Sequence, residues 1–334
     1  MTNSIQNGSI LSNQRNLIHS FSRPKPNEAK DALAERLFEI LGLIREVGLI
    51  LAPELIEWDL SKIGLGNGVL AILQQRICFT DLAPADLPSH AETFGPLAIA
   101  YEIEELRNAG AMPVMYVPQA LDSSVSGLAS FCVNGALHTK KVLEQLQNLQ
   151  ELSDPEIAAL RLNAPVDPNY TLNLQNVNPQ GQVVASYSIP AEHAQQVLRF
   201  IGFNNIPFRH SIGILDVLLN LFCPTDNLHC NELLGYYQQR EWRLISGNVH
   251  FEGHPMVRDL SASEKEMVLR TNAKFWSHAL TVEKRELRRI DLAVVYEPFQ
   301  GWNALSNAQC IYTPKAYEDK VRDIVEDRCL VIDY

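Results

Sequence analysis

In the window Tyr236-Tyr237-Gln238-Gln239-Arg240-Glu241-Trp242-Arg243-Leu244-Ile245-Ser246, one carboxylate stands among two adjacent tyrosines, a tryptophan and two arginines. The pattern turns β-like at Trp242. A glutamate fenced by aromatic rings and guanidinium groups gains a fixed position and a disturbed proton affinity, which a reactive carboxylate needs. The same residues also describe a surface strand whose Glu241 pairs with a neighbouring arginine. Gln239 and Glu241, two apart on a strand, face the same way and can touch one substrate.

Two earlier segments are candidate partners. One is His19, on a short strand read as Asn16-Leu17-Ile18-His19-Ser20-Phe21. The other is the strand Arg76-Ile77-Cys78-Phe79-Thr80 ending at Asp81, followed by His90, Phe94, Gly95 and a second strand ending at Tyr101. The block Ile77-Cys78-Phe79-Thr80-Asp81, His90, Phe94-Gly95, Ile99-Ala100 and Pro113-Val114-x-Tyr116-Val117 resembles the AbiGi-type family of bacterial abortive-infection proteins. So does Glu241-Trp242-Arg243. The resemblance touches about two thirds of the chain and is specific only in those blocks.

That group is similar in motif order to ADP-ribosyltransferases, including toxins that modify DNA. The resemblance implies NAD as cofactor. His19 would hold the nicotinamide-side ribose, the strands bearing Phe79, Thr80 and Tyr101 would receive the nicotinamide, and Glu241 would complete the site. The chemistry suits those residue types. Breaking the nicotinamide–ribose bond develops oxocarbenium-like positive charge, which a carboxylate beside the ribose stabilises while helping to deprotonate an acceptor. An imidazole hydrogen-bonds a ribose hydroxyl through one ring nitrogen. Phe79 or Tyr101 would offer a flat face to the cationic ring, and Arg76 or Arg243 a fork for the pyrophosphate.

Plainer readings stand beside each role. His19 is then a hydrogen-bonded histidine at a strand end, Phe79 and Tyr101 are core, Arg76 and Arg243 pair with local carboxylates, and Asp81 caps a turn. The chain departs from the transferase pattern in one respect: its serine run, Ser123-Ser124-Val125-Ser126, lies in a helix-like region rather than on a strand.

Composition sets outer limits. The 334 residues are 46% apolar and 20% charged, enough for a large core in one domain or two modest ones. Thirty-nine acidic against 28 basic side chains give a formal charge of −11. That excludes a global basic field for nucleic acid or anionic membrane, although Lys284-Arg285 and Arg288-Arg289 form a local basic cluster. No apolar run approaches a membrane helix and the polar start is not a secretion signal. Six cysteines without a Cys-x-x-Cys pair suggest reduced thiols in a cytoplasm.

No metal is expected. Cys223, His229 and Cys230 lack a second pair at finger-like spacing, and His250-x-Glu252-x-His254 lacks a strand pattern and reads as a loop. The Gly64–Gly68 segment lacks the strand and lysine of a phosphate cradle. No Gly-x-Ser-x-Gly elbow occurs.

The elements that must position these residues read as follows. Residues 1–14 are loose. A strongly amphipathic helix, capped by Asn27, runs from Ala29 to Val47 and ends at Gly48. Strands follow at 76–80, 97–101 and 113–117, with helical turns at 102–108. Residues 121–162 are helix-like, a hairpin lies at 182–187, and helices follow at 191–200 and 212–222. A helix at 263–278, a strand at 290–296, a helix at 316–325 and a strand at 329–332 complete the chain.

The elements lack regular βαβ alternation, so the class is α+β. The expected form is an ADP-ribosyltransferase-like mixed or antiparallel sheet core with flanking helices, residues 15–334 as one domain and 121–190 as a helical and loop insertion. Two functions follow. One is a cytoplasmic anti-phage protein that transfers ADP-ribose from NAD to a macromolecule. The other is a non-catalytic antitoxin that binds a partner protein encoded beside it, for which an acidic chain suits a basic partner face.

Overall fold

The computed structural model describes residues 16–25, 27–62, 67–117, 133–144, 167, 169, 171–177, 182–190, 192–194, 208–224, 240–248, 250–251, 254–282, 285–297 and 302–334. The chain divides into two compact units, residues 1–131 with 220–334, and residues 132–219. Several expected features lie outside the described residues: the loose start at 1–14, the serine run 123–126, most of 121–162, most of 191–200, Gln239 and Glu252.

The first unit begins with β1 (Asn16–Phe21) and α1 (Lys30–Glu46). In α1, Leu37, Leu41 and Ile44 recur at three- and four-residue steps and enter the main core, while Leu43 joins a second cluster with Val268 and Ile290. The helix stops at Gly48, whose φ of +107° suits glycine and whose N–H donates to Ile44 O at 3.0 Å. Asn27 does not cap it. Asn27 takes a left-handed turn with φ 62°, and the helix starts after Ala29 without a side-chain cap. Glu28 holds that turn, accepting from Lys25 N at 3.1 Å and from the buried Arg36 Nε at 3.0 Å.

Next come β2 (Ile50–Asp59), β3 (Val69–Leu82), α2 (Leu87–Phe94), β4 (Leu97–Glu102), α3 (Ile103–Asn108), β5 (Met112–Pro113) and β6 (Met115–Val117). The second unit contains a helical stretch at 133–144 and the hairpin β7 (Thr171–Val177) with β8 (Val183–Pro190). Helix α4 (Phe208–Leu221) leads to β9 (Phe222–Pro224). Then follow β10 (Glu241–Ile245), the short pair β11 (His250–Phe251) and β12 (His254–Pro255), and β13 (Val257–Asp259).

Helix α5 (Ala262–Thr271) opens with a capping box between Ser261 and Glu264. The single helix expected over 263–278 breaks at Asn272, whose side chain accepts from Phe275 N and starts α6 (Ala273–Trp276). The hairpin β14 (Ala279–Val282) with β15 (Arg285–Arg288) follows. The strand expected at 290–296 begins instead as the helical turn α7 (Arg289–Leu292), leaving only β16 (Val294–Tyr296) extended. The chain closes with β17 (Cys310–Thr313), α8 (Glu318–Val325) and β18 (Leu330–Asp333).

Strand β3 organises the first unit. On one edge it pairs antiparallel with β10, from Arg76 opposite Ile245 to Thr80 opposite Glu241. Its other edge is shared: β2 covers residues 69–76 and β1 covers 80–82. Two wings diverge from there, β2–β16–β13 and β1–β4–β17–β18, in a mixed and mostly antiparallel sheet.

Residues opposite one another share a face and successive residues alternate. One face therefore carries Leu17, His19, Phe79, Tyr101, Trp242 and Leu244. Apart from His19 these belong to the main core under α1 and α8. The other face carries Ile18, Cys78, Thr80, Leu82, Glu241 and Arg243, and Ile18 and Leu82 pack there with Leu87 of α2.

Among the described residues no helix is long and apolar enough to cross a membrane.

Gly95 marks the tightest approach in this framework. Its φ is +115°, and an added Cβ would lie 2.1 Å from the carbonyl oxygen of Phe21. The Gly95→Ala variant is expected to lose about 2–4 kcal/mol of stability. Urea unfolding checks this, and an unchanged midpoint would contradict the close packing of α2 on the end of β1.

Candidate functional site

A dense polar cluster is built on the Glu241 face of β3 and β10. Arg240 enters β10 through a left-handed kink (φ 42°), and its carbonyl accepts the Asp81 N–H at 3.2 Å. This kink starts the ladder that places Glu241 beside Thr80. From Glu241 the strand alternation carries Arg243 to the same face, where the two side chains form a bidentate pair. Arg243 Nε donates to Glu241 Oε1 at 2.7 Å and Nη2 to Oε2 at 3.3 Å. Tyr116 of β6 donates its hydroxyl to the same Oε2.

The network continues outward. Arg243 Nη1 reaches Gln74 Oε1 at 3.5 Å, and Arg243 Nη2 lies 3.5 Å from Cys223 Sγ. Gln74 Oε1 also accepts from Arg76 Nη1 at 3.0 Å, while Gln74 Nε2 donates to Asn220 O at 3.0 Å. Arg76 completes its own pairing with Glu54.

The electrostatics follow from enclosure. Burial alone would raise the Glu241 pKa, but the Arg243 charge, the Arg243 hydrogen bonds and those from Cys78 and Tyr116 outweigh it and hold the carboxyl at about 2. Burial works against the charged Arg243, yet Glu241 keeps it firmly protonated. Burial and the Glu241 charge push the Cys78 thiol up to about 12 and raise the Tyr116 phenol as well. At neutral pH the cluster is an ionised pair surrounded by neutral donors. Its carboxylate has little proton affinity, and both its oxygens already accept hydrogen bonds.

The expected site residues fall into two groups. Glu241, Arg243, Arg76 and Thr80 share one face of the sheet; His19, Phe79 and Tyr101 belong to the other. The pocket expected between His19, Phe79 and Glu241 is therefore not formed, because strand parity sends the imidazole and the carboxylate to opposite sides.

His19 has a different task. The β2 and β1 ladders leave the middle of one β3 edge uncovered, and His19 Nδ1–H donates to the Cys78 carbonyl there at 2.8 Å. Burial lowers its pKa, partly opposed by that bond, so the ring is neutral at pH 7. Its ring meets Phe21 and Phe79 at 5.9 and 5.8 Å.

Phe79 and Tyr101 are 1% and 0% exposed and pack edge to face, and the Tyr101 hydroxyl donates to Ala304 O at 2.8 Å. Neither offers an open ring face to a nicotinamide. Arg76 is engaged with Glu54 and Arg243 with Glu241 rather than aimed at a pyrophosphate. Thr80 is half-buried between Ile18 and Glu241.

A groove of about 520 Å³ lies elsewhere, between α8 and β18, lined by Arg322, Asp323, Glu326, Cys329, Leu330 and Val331. Among the described residues no group of three or more His, Cys, Asp or Glu side chains is placed to hold a metal.

Sequence reasoning did not assign site roles to Gln74, Cys78, Tyr116 and Cys223. A signal for the first two was present: Gln74, Arg76, Cys78 and Thr80 alternate with apolar or outward residues along β3. Tyr116 and Cys223 carry no local signal, since each meets the cluster only through long-range folding. Comparisons with protein-family models, curated proteins and solved structures give no match to this chain.

The ion pair generates a pH signature. Because Glu241 titrates near 2 in the folded chain and near 4.5 when unfolded, its stabilisation is complete above about 4.5 and lost as pH falls towards 2. The loss is about 3 kcal/mol. Glu241→Gln strands Arg243, is expected to cost about 3–5 kcal/mol at pH 7, and removes that part of the acid dependence. Urea midpoints of both proteins from pH 7 to 3 check this. Parallel pH curves would contradict it.

Proposed function

We propose that this chain is a non-catalytic, partner-binding protein of an anti-phage or toxin–antitoxin system, acting as the antitoxin of a protein encoded beside it. The system class rests on the resemblance of the Ile77–Asp81, His90, Phe94-Gly95, Pro113–Val117 and Glu241–Arg243 blocks to abortive-infection proteins. The choice of binding over catalysis rests on one observation. Both oxygens of Glu241 accept hydrogen bonds from Arg243 and Tyr116, on the sheet face opposite His19.

A transferase glutamate must instead hold a ribose hydroxyl and face the group that positions the nicotinamide side. The NAD-dependent reading would require Glu241 to leave a buried guanidinium, a change that costs several kcal/mol. The formal charge of −11 fits the binding role, since it draws in a partner with a basic face. The free thiols Cys78, Cys223, Cys310 and Cys329 fit a reducing, cytoplasmic setting.

Co-expression with the product of the adjacent gene, followed by co-purification and incubation with labelled NAD and cell extract, tests this. A stable complex, with no label transferred by either wild type or Glu241→Gln, is the expected result. Transfer of ADP-ribose by wild type, lost in a folded Glu241→Gln protein, would replace the binding role with the enzymatic one.

A further inference from the structure

The second unit carries a feature that the polar cluster does not explain. No residue between Asp167 and Glu192 is charged, in a chain where one residue in five is. This stretch contains the β7–β8 hairpin, with Leu172 opposite Ile189, Asn173 opposite Ser188 and Leu174 opposite Tyr187. Ser188 Oγ donates to Asn173 Oδ1 at 2.6 Å across the pair.

The register alternates apolar and polar pairs, the pattern of a ribbon with one face meant for burial. Yet Tyr187, on the apolar face, is 62% exposed, and on the other face Val183, opposite Val177, is 51% exposed. Among the described residues no third strand joins either edge of the hairpin. A two-stranded ribbon is marginal alone in water and gains stability from a further strand or a packed layer.

The two end strands of the main sheet are guarded. On β18, Tyr334 N donates to Thr313 O at 3.2 Å, so by alternation the Val331 carbonyl points away from β17. Arg322 Nη2 occupies that carbonyl at 3.1 Å, and Asp333 pairs with Lys315. On β13, Arg258 and Asp259 place charges on an edge strand. Charges of this kind block strand addition, and the β7–β8 hairpin has none.

From this contrast we infer that the β7–β8 hairpin is the docking arm for the partner protein, which adds an extended strand to its free edge and covers the face of Tyr187. The inference rests on the partner-binding reading above. Interface cores are poor in charge, as this ribbon is, and favour tyrosine, of which it has one, the exposed Tyr187; strand addition uses main-chain hydrogen bonds that need no charged groups. The occupant is a basic partner rather than a second copy. Two copies bearing −11 each repel, whereas a basic partner is drawn in by the same charge and then meets an uncharged contact.

The test uses the full chain and the co-expressed neighbouring gene product. Amide hydrogen exchange is followed over residues 171–190 with and without the partner, and affinity is measured for wild type, Tyr187→Lys and Ser186→Lys. The expected result is slowed exchange across the hairpin on binding, with affinity weakened about tenfold or more by Tyr187→Lys. Association should slow with salt while dissociation changes little.

A complex whose hairpin amides exchange unchanged, and which Tyr187→Lys and Ser186→Lys bind as well as wild type does, overturns the docking arm but leaves the partner role standing. Absence of any complex removes both. A dimer of the chain alone, dispersed by Tyr187→Lys, would make a second copy the occupant and overturn the heteromeric assignment.

Discussion

A charge enclosed by protein must meet an opposite charge, and in this molecule Glu241 and Arg243 meet each other. The pair sits on one short strand, so it needs no distant segment to form, but its surroundings come from everywhere. Tyr116 reaches it from β6, Cys78 and Gln74 from β3, and Cys223 from β9. Through Gln74 and Arg76 the same network extends to Asn220 and Glu54. Segments that are remote in sequence are thus tied to a single neutralised centre. The residues that look reactive are the ones holding the first unit together, and their functional meaning changes accordingly.

Strand parity supplies the second half of that conclusion. Once β3 pairs with β10 through Thr80 and Glu241, and with β1 through Thr80 and Ile18, His19 is committed to the far face. The imidazole then fills the gap where β1 and β2 part, while the aromatic residues beside it close the main core. An early histidine, an aromatic strand and a late glutamate can keep their order along a chain without sharing a cavity.

Much of the framework was legible. The six residues of β1 and the apolar steps of α1 announce themselves through period and punctuation, and Gly48 and Gly110 mark their turns with positive φ. Strand β2 was not expected, and Pro53 lies within it. That proline's tolerance has a physical reason: β16 reaches only Ile50 and Leu51, so among the described residues no strand pairs with that edge of β2 from Ala52 onward, which accommodates a residue without an N–H. Asn272 could not be recognised as a helix break, since its neighbours keep helical spacing on both sides. The candidate site was legible in composition only. Which face a side chain takes depends on pairing partners far along the chain, as for Ile18 and Glu241, 223 residues apart and sharing a face across Thr80, and no local pattern records that.

Glu241 is an ionised, saturated member of an ion pair rather than a carboxylate poised for a ligand. Glutamate labelled with carbon-13 at Cδ, assigned with Glu241→Gln and titrated by NMR from pH 8 to 2 with and without NAD, tests it directly. A midpoint near 2 that NAD leaves in place is the expected result. A midpoint at or above the ordinary glutamate value, or one displaced by NAD, would contradict it.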